Sequence, residues 1–456
     1  MARVHRYSLV ALDVVRHFLC GSLVAVLALG CEPRKPELDA GDVAAEKVAI
    51  IGWDAANWEV LDPMLANGEL PTLAGLLARG SRGVLVAEEP LLSPVVWTTL
   101  ATGFHAEDHG ILNFTMRDLR GGDEQVLVTS GHRKRAPLWK MASSAGRSVG
   151  FVGWWTTWPA EPVNGFMVSD HLAFNRWDTW ARRVTAEGAS GDDWLTWPAE
   201  LAGELRSRAR RPETLELETL TSIVAFNERE QREMMGATQP VLFHGPSVFR
   251  FGYSTDASNL AFARHLLEER GQPDLFATVF VLSDIAGHVF WHHYEPDRFT
   301  GFRAEDAHLR DAIPSVYRQL DRWTAELIAQ FDPDTTIVIV SDHGMGPEGV
   351  VPKPGVNPAG DHVPEGILVV AGPSSLRGAD LGDVASIDFA PAVLSLLGLP
   401  AADDMPGRAP WRTFGAAAKR IASYGDGRSE LDARTRERSS GEAEYLERLR
   451  ALGYIK

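Results

Sequence analysis

Short apolar runs alternate with helical patterns from residue 48 to about residue 400, and this alternation constrains the fold more than any other feature of the chain. The apolar runs cover residues 48–53, 83–86, 149–153, 276–282, 335–340 and 367–371. The clearest helical patterns cover residues 71–79, 307–331 and 388–397. Strands that are apolar throughout and alternate with helices indicate a mostly parallel sheet covered on both faces. The sequence therefore predicts an α/β fold that binds ligands beyond the carboxyl ends of its strands.

The middle of the chain fits this alternation poorly. Eight of the 14 tryptophans fall between Trp139 and Trp197, and residues 200–233 are charged with a helical pattern. We expect residues 155–270 to form an inserted, Trp-rich helical cap over the sheet. The α/β core then comprises residues 47–154 and 271–424, and a charged helix follows at 425–456. Tryptophans in such a cap are more often packing residues than substrate-stacking ones.

The first 30 residues have the pattern of an export signal. Arg3, Arg6 and Arg16 precede an apolar run at 18–30. This run is shorter than the roughly 20 residues that a membrane span needs, but it is typical of a signal-peptide core. The run ends at Gly30-Cys31 and resembles a bacterial lipoprotein signal, in which the cysteine becomes the lipidated N-terminus. We expect a membrane-anchored protein of the cell envelope, with residues 31–46 as a polar tether; the alternative is an ordinary cleaved signal.

Charge and cysteine content exclude two classes of protein. The chain has 45 Lys+Arg against 61 Asp+Glu, and its net charge of −16 argues against nucleic-acid binding, which needs a basic surface. Its two cysteines both lie before residue 32, so no disulfide framework can form in the predicted domain.

Acidic and histidine side chains lie at the ends of several predicted strands. They are Asp54 after the first run, Asp284 and His288 after the run at 276–282, Asp342 and His343 after the run at 335–340, and His362 before the run at 367–371. Each motif alone is weak, because an Asp after a strand is often only a helix cap. Together they supply three Asp and three His, enough for two sets of three ligands. Mixed carboxylate–imidazole sites suit Zn or Mn better than Ca or Mg, so we predict two divalent metal ions.

Ser93 is the candidate nucleophile. Residues 90–103 predict a helix with Ser93 at its N-cap and Pro94 at its first position. A helix N-terminus favours an alkoxide at this place and an anion docked beside it. The alternative is that Ser93 is a structural cap only.

The order and spacing of these motifs resemble the alkaline phosphatase superfamily, and within it the type I phosphodiesterase/nucleotide pyrophosphatase branch. The motifs are S-P-V-V-W-T-T-L-A-T-G from residue 93, H-G-I at 109–111, D-x-x-x-H at 284–288, S-D-H-G at 341–344 and G-x-H at 360–362. The resemblance covers roughly residues 48–113 and 276–400, and it leaves the middle third unmatched.

The resemblance implies a two-metal hydrolase that acts on phosphate esters. One metal is implied at Asp284, His288 and His362, and the second at Asp54, Asp342 and His343, with Ser93 also bound to the second. Ser93 is implied to attack phosphorus and form a covalent intermediate. Asn113, shortly after H-G-I, is implied to donate to a phosphoryl oxygen.

Departures from the family pattern narrow the activity. Pro94 follows Ser93 directly, whereas the nucleotide pyrophosphatases have Pro two positions after the nucleophile. Sulfatases need Cys or Ser followed by x-Pro-x-Arg, and S-P-V-V-W at 93–97 lacks that Pro and that Arg. Monoester-specific members add a third metal and an Arg by the nucleophile, and no such Arg lies near Ser93. Diester or pyrophosphate cleavage is therefore favoured over a phosphomonoesterase, a phosphoryl-group transferase or a non-catalytic envelope lipoprotein. The leaving group and the oligomeric state are not indicated.

Other polar residues receive lesser roles. His292 and His293 are predicted to be surface residues, and His105 and His109 to order loops rather than bind metal. Asp361 is predicted to orient the ring of its neighbour His362.

Overall fold

A computed structural model describes residues 45–117, 125–173, 194–237, 245–299, 307–347, 360–373, 375, 377–408 and 420–425. The predicted signal at 1–30, nearly all of the tether and nearly all of the helix at 425–456 lie outside these ranges. Within them, no helix combines the length and the apolar character that crossing a membrane requires.

The strands are defined first, because they position the site. They are β1 Val48–Trp53, β2 Ser81–Val86, β3 Thr115–Arg117, β4 Gln125–Leu127, β5 Val149–Trp154, β6 Gly165–Ser169, β7 Thr196–Trp197, β8 Leu275–Phe280, β9 Thr336–Val340, β10 Gly344–Pro347, β11 Gly360–Val363, β12 Glu365–Ala371, β13 Asp380–Ala385, β14 Ala401–Ala402 and β15 Arg420–Ile421. Nine of them form one sheet in the order β13-β2-β12-β9-β1-β8-β5-β6-β7. Only β12 and β7 run against the other strands of this sheet. The prediction of a mostly parallel sheet is confirmed.

Helices connect the strands and cover the sheet. They are α1 Trp58–Ala66, α2 Pro71–Arg79, α3 Ser93–Thr102, α4 Ala106–His109, α5 Leu138–Ser144, α6 Leu201–Arg206, α7 Leu217–Thr221, α8 Glu228–Gly236, α9 Gly245–Arg270, α10 Leu282–Tyr294, α11 Ala312–Ile328 and α12 Phe389–Leu396. Every residue of β1, β8 and β9 is buried, so both faces of the sheet are covered at its centre.

Residues 155–270 contribute to the sheet as well as to the helices. Strand β6 pairs parallel with β5, and β7 pairs antiparallel with β6, so this segment extends one edge of the sheet. The prediction of a purely helical segment missed these strands, because β6 holds only a short apolar run and β7 has two residues. The limits of an insertion at 155–270 stay a prediction.

Two helices receive their N-terminal caps from carboxylates on other helices. Asp256 of α9 accepts hydrogen bonds from the backbone N–H groups of Val281 (2.9 Å) and Leu282 (2.8 Å), at the start of α10. Asp321 of α11 accepts bonds of 3.0 and 2.8 Å from two N–H groups in the first turn of α2. Neither capped helix has a side-chain cap of its own. The first of these contacts fixes the turn of α10 that carries Asp284.

Candidate active site

Three neighbouring parallel strands bring three aspartates to one edge of the sheet. The strands are β9, β1 and β8, and Asp342, Asp54 and Asp284 follow them. Strand β8 ends two residues earlier than predicted, so Asp284 lies in the first turn of α10 and not directly after the strand. The Ser283 hydroxyl donates to the backbone oxygen of Asp54 (2.6 Å) and ties the first turn of α10 to the end of β1.

The first ligand group consists of Asp284, His288 and His362. Asp284 Oδ1 lies 3.2 Å from Nε2 of His288 and 3.1 Å from Nε2 of His362. The two Nε2 atoms lie 2.9 Å apart. Asp284 and His288 are buried, whereas His362 is partly exposed.

Close backbone approach brings the two histidines of this group together. A Cβ on Gly287 would lie 2.6 Å from Met345 Cγ, and a Cβ on Gly360 would lie 2.7 Å from Gly287 O. Glycine at both positions therefore lets α10 pack directly on the β10–β11 hairpin. In consequence, His288 Nδ1 reaches Gly360 O at 3.0 Å.

The second ligand group consists of Asp54, Asp342 and His343, all fully buried. His343 Nε2 lies 3.2 Å from Asp342 Oδ2 and 3.8 Å from Asp54 Oδ1. Ala55 has a left-handed backbone (φ 59°), which is strained for a residue with a Cβ, and its N–H donates to Asp342 Oδ1 (3.3 Å). The turn after β1 is thereby shaped to hold both carboxylates against His343.

Backbone carbonyls fix the tautomer of the three histidines. Nδ1 of His288, His343 and His362 lies 3.0, 3.1 and 2.5 Å from the carbonyl oxygens of Gly360, Gly344 and Leu91, respectively. A carbonyl can only accept, so each Nδ1 carries the proton, and in the neutral ring each Nε2 presents a lone pair to its group. If both rings are neutral, lone pairs on His288 and His362 face each other at 2.9 Å, and a proton or a metal ion at Nε2 relieves that repulsion.

Electrostatics in both groups favour a bound cation. Burial would raise the pKa of Asp284, but the charges and hydrogen bonds of His288 and His362 outweigh burial and hold that pKa well below its usual range. Burial and the charge of Asp54 raise the pKa of Asp342 well above its usual range. Burial, with the charge of His362, lowers the pKa of His343 and keeps its ring neutral.

Two atoms of the second group lack ordinary partners. Asp342 Oδ2 and His343 Nε2 are buried and accept no hydrogen bond from any residue that the structure describes. Buried polar atoms without partners are costly, and here they converge with carboxylate and imidazole donors suited to Zn or Mn. These residues fit a metal ion.

The two groups lie side by side. The rings of His343 and His362, one from each group, have their centroids 3.9 Å apart. Within each group the donor atoms lie no more than 4.8 Å from one another. The structure thus assembles the same two sets of three residues that the family resemblance implies.

Helix α3 contacts both groups, through Leu91 just before its N-cap and through Trp97 at the start of its second turn. The Leu91 carbonyl holds the ring of His362, and Trp97 donates through Nε1 to Asp54 Oδ2 at 3.1 Å. In sequence, Ser93 lies between Leu91 and Trp97, and its side chain is buried. The helix starts at Ser93 with Leu92 at the N-cap, one residue earlier than predicted. Ser93 is thus the first residue of the helix and does not occupy the N-cap position that the purely structural alternative requires.

Asn113 lies in the loop after α4. Its side-chain oxygen accepts from the N–H of Phe114 (2.7 Å), and the Phe114 ring packs edge-on against Trp155 (5.9 Å between centroids). Trp155 in turn donates through Nε1 to Asp54 Oδ2 at 3.2 Å. Asn113 is half-buried, and these contacts connect it to Asp54 through Phe114 and Trp155.

Sequence reasoning missed the two tryptophans on Asp54. Trp155 belongs to the predicted cap, whose tryptophans are predicted to be packing residues, and the sequence predicts no role for Trp97. Both indole N–H groups nevertheless donate to the same carboxylate oxygen. The one available signal is the spacing of Trp97, which lies four residues, or one helical turn, after Ser93.

Three minor predictions are wrong and one agrees with the structure. His292 and His293 are 4% and 8% exposed, because they lie on the part of α10 that is buried along its length. Asp361 accepts from the backbone N–H of His362 (2.8 Å) and is exposed, so the ring is oriented by Leu91 instead. His109 orders its loop as expected: its Nδ1 accepts from the N–H two residues on (3.2 Å), and burial lowers its pKa to about 3.

A mostly parallel sheet with two three-residue ligand groups at its carboxyl edge defines an alkaline phosphatase-like α/β hydrolase. The family described as type I phosphodiesterase / nucleotide pyrophosphatase matches residues 48–357, more than half of the 456-residue chain. The chain therefore belongs to that family, as the resemblance indicates. Members of this family use divalent metals, and the two groups are the candidate ligand sets.

Several solved structures are similar to the chain at low identity. Human ectonucleotide pyrophosphatase/phosphodiesterase 5 is 11% identical, with 80% of this chain and 97% of that chain covered and a TM-score of 0.45. Its murine counterpart is 13% identical, with 78% and 96% covered and a TM-score of 0.43. Phosphonoacetate hydrolase from Sinorhizobium meliloti 1021 is 17% identical, with 67% and 59% covered and a TM-score of 0.34. No curated protein sequence matches the chain significantly. The family match alone carries the classification.

Proposed function

We propose that the chain hydrolyses phosphodiester or pyrophosphate bonds through a covalent intermediate on Ser93. One observation carries this proposal: the start of α3 is held between two adjacent ligand groups, by Leu91 on one side and Trp97 on the other. A nucleophile at that position faces the place where a phosphoryl group would bind.

Two divalent cations, Zn or Mn, would be held by the two groups. Asp284, His288 and His362 would hold one, and Asp54, Asp342 and His343 the other, with Ser93 beside the second. When bound, such a pair supplies electrostatic stabilisation of the attacking and leaving oxygens in an in-line displacement.

The chain's own residues would then carry the chemistry. The Ser93 hydroxyl would lose its proton to solvent as its oxygen bonds to phosphorus; the bond from phosphorus to the leaving oxygen breaks, and that oxygen takes up a proton from solvent. Water next attacks phosphorus, the bond to Ser93 breaks and the serine recovers its proton. The positive end of the α3 helix dipole would favour negative charge on the serine oxygen and on the phosphoryl group. Asn113, as the family resemblance implies, would donate to a phosphoryl oxygen.

A diester or pyrophosphate is preferred over a monoester on the composition of this segment. Residues 90–103, from the approach to α3 to its end, contain no Arg or Lys to neutralise the extra charge of a monoester. The substrate we propose is therefore a phosphate ester with two substituents. We propose further that lipid on Cys31 anchors the protein to a membrane of the cell envelope.

Replacement of the nucleophile tests the proposal. Ser93→Ala removes the attacking oxygen, and we expect turnover of bis(4-nitrophenyl) phosphate to fall by roughly 10³-fold or more. Ser144→Ala, at the end of α5, serves as the control and should keep wild-type activity. Thermal unfolding of both variants should match the wild type. Wild-type turnover by Ser93→Ala would show that Ser93 is not the nucleophile.

A further inference from the structure

Two indole groups donate to one oxygen of Asp54. Nε1 of Trp97 lies 3.1 Å and Nε1 of Trp155 lies 3.2 Å from Asp54 Oδ2. All three side chains are buried, with Asp54 fully so. A carboxylate oxygen has two in-plane acceptor sites, so two N–H donors occupy both. The other oxygen, Oδ1, lies 3.8 Å from His343 Nε2, within the second ligand group.

Packing leaves Trp97 no alternative position. A Cβ on Gly52 would lie 2.4 Å from the Trp97 ring, so glycine in β1 makes the space that the indole fills. The ring also packs edge-on against Trp154, with 4.9 Å between centroids, and Trp154 Nε1 donates to the Trp97 backbone oxygen (3.3 Å).

Trp155 is held by a strained turn that is fixed from several sides. The next residue, Thr156, has a left-handed backbone (φ 59°), which is unusual for a β-branched residue. Its N–H donates to Asp170 (3.0 Å), its carbonyl accepts from Arg133 (3.1 Å), and its hydroxyl lies 2.9 Å from that of Thr98 in α3. Strain of this kind persists only where the surroundings impose it, and it is concentrated at functional sites.

We infer that Trp97 and Trp155, the tryptophan pair, are positioning residues that hold the Asp54 carboxylate so that only Oδ1 faces the second ligand group. This inference rests on the proposed two-metal function. With both acceptor sites of Oδ2 occupied, rotation of the carboxylate would break two buried hydrogen bonds, so Asp54 is preset to ligate through a single oxygen. The pair also ties Asp54 to α3, because Trp97 lies one turn after Ser93 in that helix.

Metal titration of conservative variants tests the inference. Trp97→Phe and Trp155→Phe each keep an aromatic ring and remove one N–H donor. Trp58→Phe is the matched control, because its buried indole donates to a backbone oxygen, Gly83 O at 2.8 Å, outside the ligand groups. Each purified protein would be stripped with a chelator and titrated with Zn²⁺ alone, and then with Mn²⁺ alone, by calorimetry.

The wild type and Trp58→Phe should each bind two ions per chain, and the affinity for each ion should be the same in the two proteins. In Trp97→Phe and Trp155→Phe, one of the two affinities should fall by about 10- to 100-fold while the other is unchanged. Phosphodiesterase activity of these variants should recover at high metal concentration. Loss of packing alone would instead lower the unfolding temperature of the metal-free protein and leave both affinities at wild-type values.

Two results would overturn the inference, and they are distinguishable. If the wild type binds two ions and both variants bind them with wild-type affinities, the tryptophan pair has no positioning role and the proposed function stands. If the wild type itself binds no divalent metal, the proposed function fails and the inference fails with it.

Discussion

A buried ion pair supports one of the turns around the site. Arg133 and Glu161 form an ion pair with side chains 0% and 4% exposed. Trp139 donates to the same carboxylate (2.9 Å), and Arg133 donates to the Thr156 carbonyl (3.1 Å). This pair therefore supports the turn that carries Trp155. Removal of one partner should lower the free energy of unfolding, since a buried charge without its partner is strongly destabilising.

A substitution at Glu161 tests this expectation. Glu161→Ala leaves the Arg133 charge buried, and we expect the free energy of unfolding to fall by about 3 to 5 kcal/mol. The control is Asp62→Ala, which breaks a pair with Arg82 whose side chains are 52% and 38% exposed. That change should cost less than about 1 kcal/mol. Urea unfolding measures both, and equal losses would contradict the argument from burial.

At the scale of elements, caps supplied from a distance connect the helices to the site. Asp256 and Asp321 perform the same task at the starts of α10 and α2, but only α10 carries ligand residues. A comparison of the two caps therefore distinguishes a loss of helix stability from a change in the geometry of the site.

Substitution of the two caps should separate these effects. Asp256→Ala and Asp321→Ala each leave two helix N–H groups without an acceptor, and each should cost about 2 kcal/mol of unfolding free energy. Only Asp256→Ala should also weaken metal binding, because it loosens the turn that holds Asp284. Denaturant unfolding and metal titration give the two readouts. Equal loss of metal affinity in both variants would argue against a local effect.

At the scale of the whole molecule, the site concentrates negative charge in the centre of an acidic chain. The net charge is −16, and Asp54, Asp284 and Asp342 are all buried at one sheet edge. The surface charge does not attract a phosphate anion, so attraction must come from cations at the site. The same cations would offset the repulsion between Asp54 and Asp342.

Metal removal should therefore destabilise the fold. A ligand that binds only the folded state at 1,000 times its Kd adds about 4 kcal/mol of stability. We expect a chelator to lower the thermal unfolding temperature and Zn²⁺ or Mn²⁺ to restore it, with two ions bound per chain by elemental analysis. The unfolding temperature in chelator should equal that in metal if the groups hold no ion.

The sequence alone predicted the mostly parallel sheet and its main strands. Runs such as 48–53 and 335–340 are buried on both faces, and burial on both faces leaves a continuous apolar pattern that can be recognised locally. Strand β7 could not be recognised in this way, since its two residues join the sheet only by pairing with β6. The burial of His292 and His293 was missed for a similar reason: it depends on what packs over α10.

The sequence also indicated which six Asp and His residues gather at the site, because the carboxyl ends of parallel strands meet at one edge of a sheet. Only the tertiary structure decided how those side chains are held. The Leu91 carbonyl and the indole N–H groups of Trp97 and Trp155 contact ligand residues that lie 43 to 271 positions away in the chain. Such contacts depend on how distant segments pack together, so local sequence patterns do not predict them.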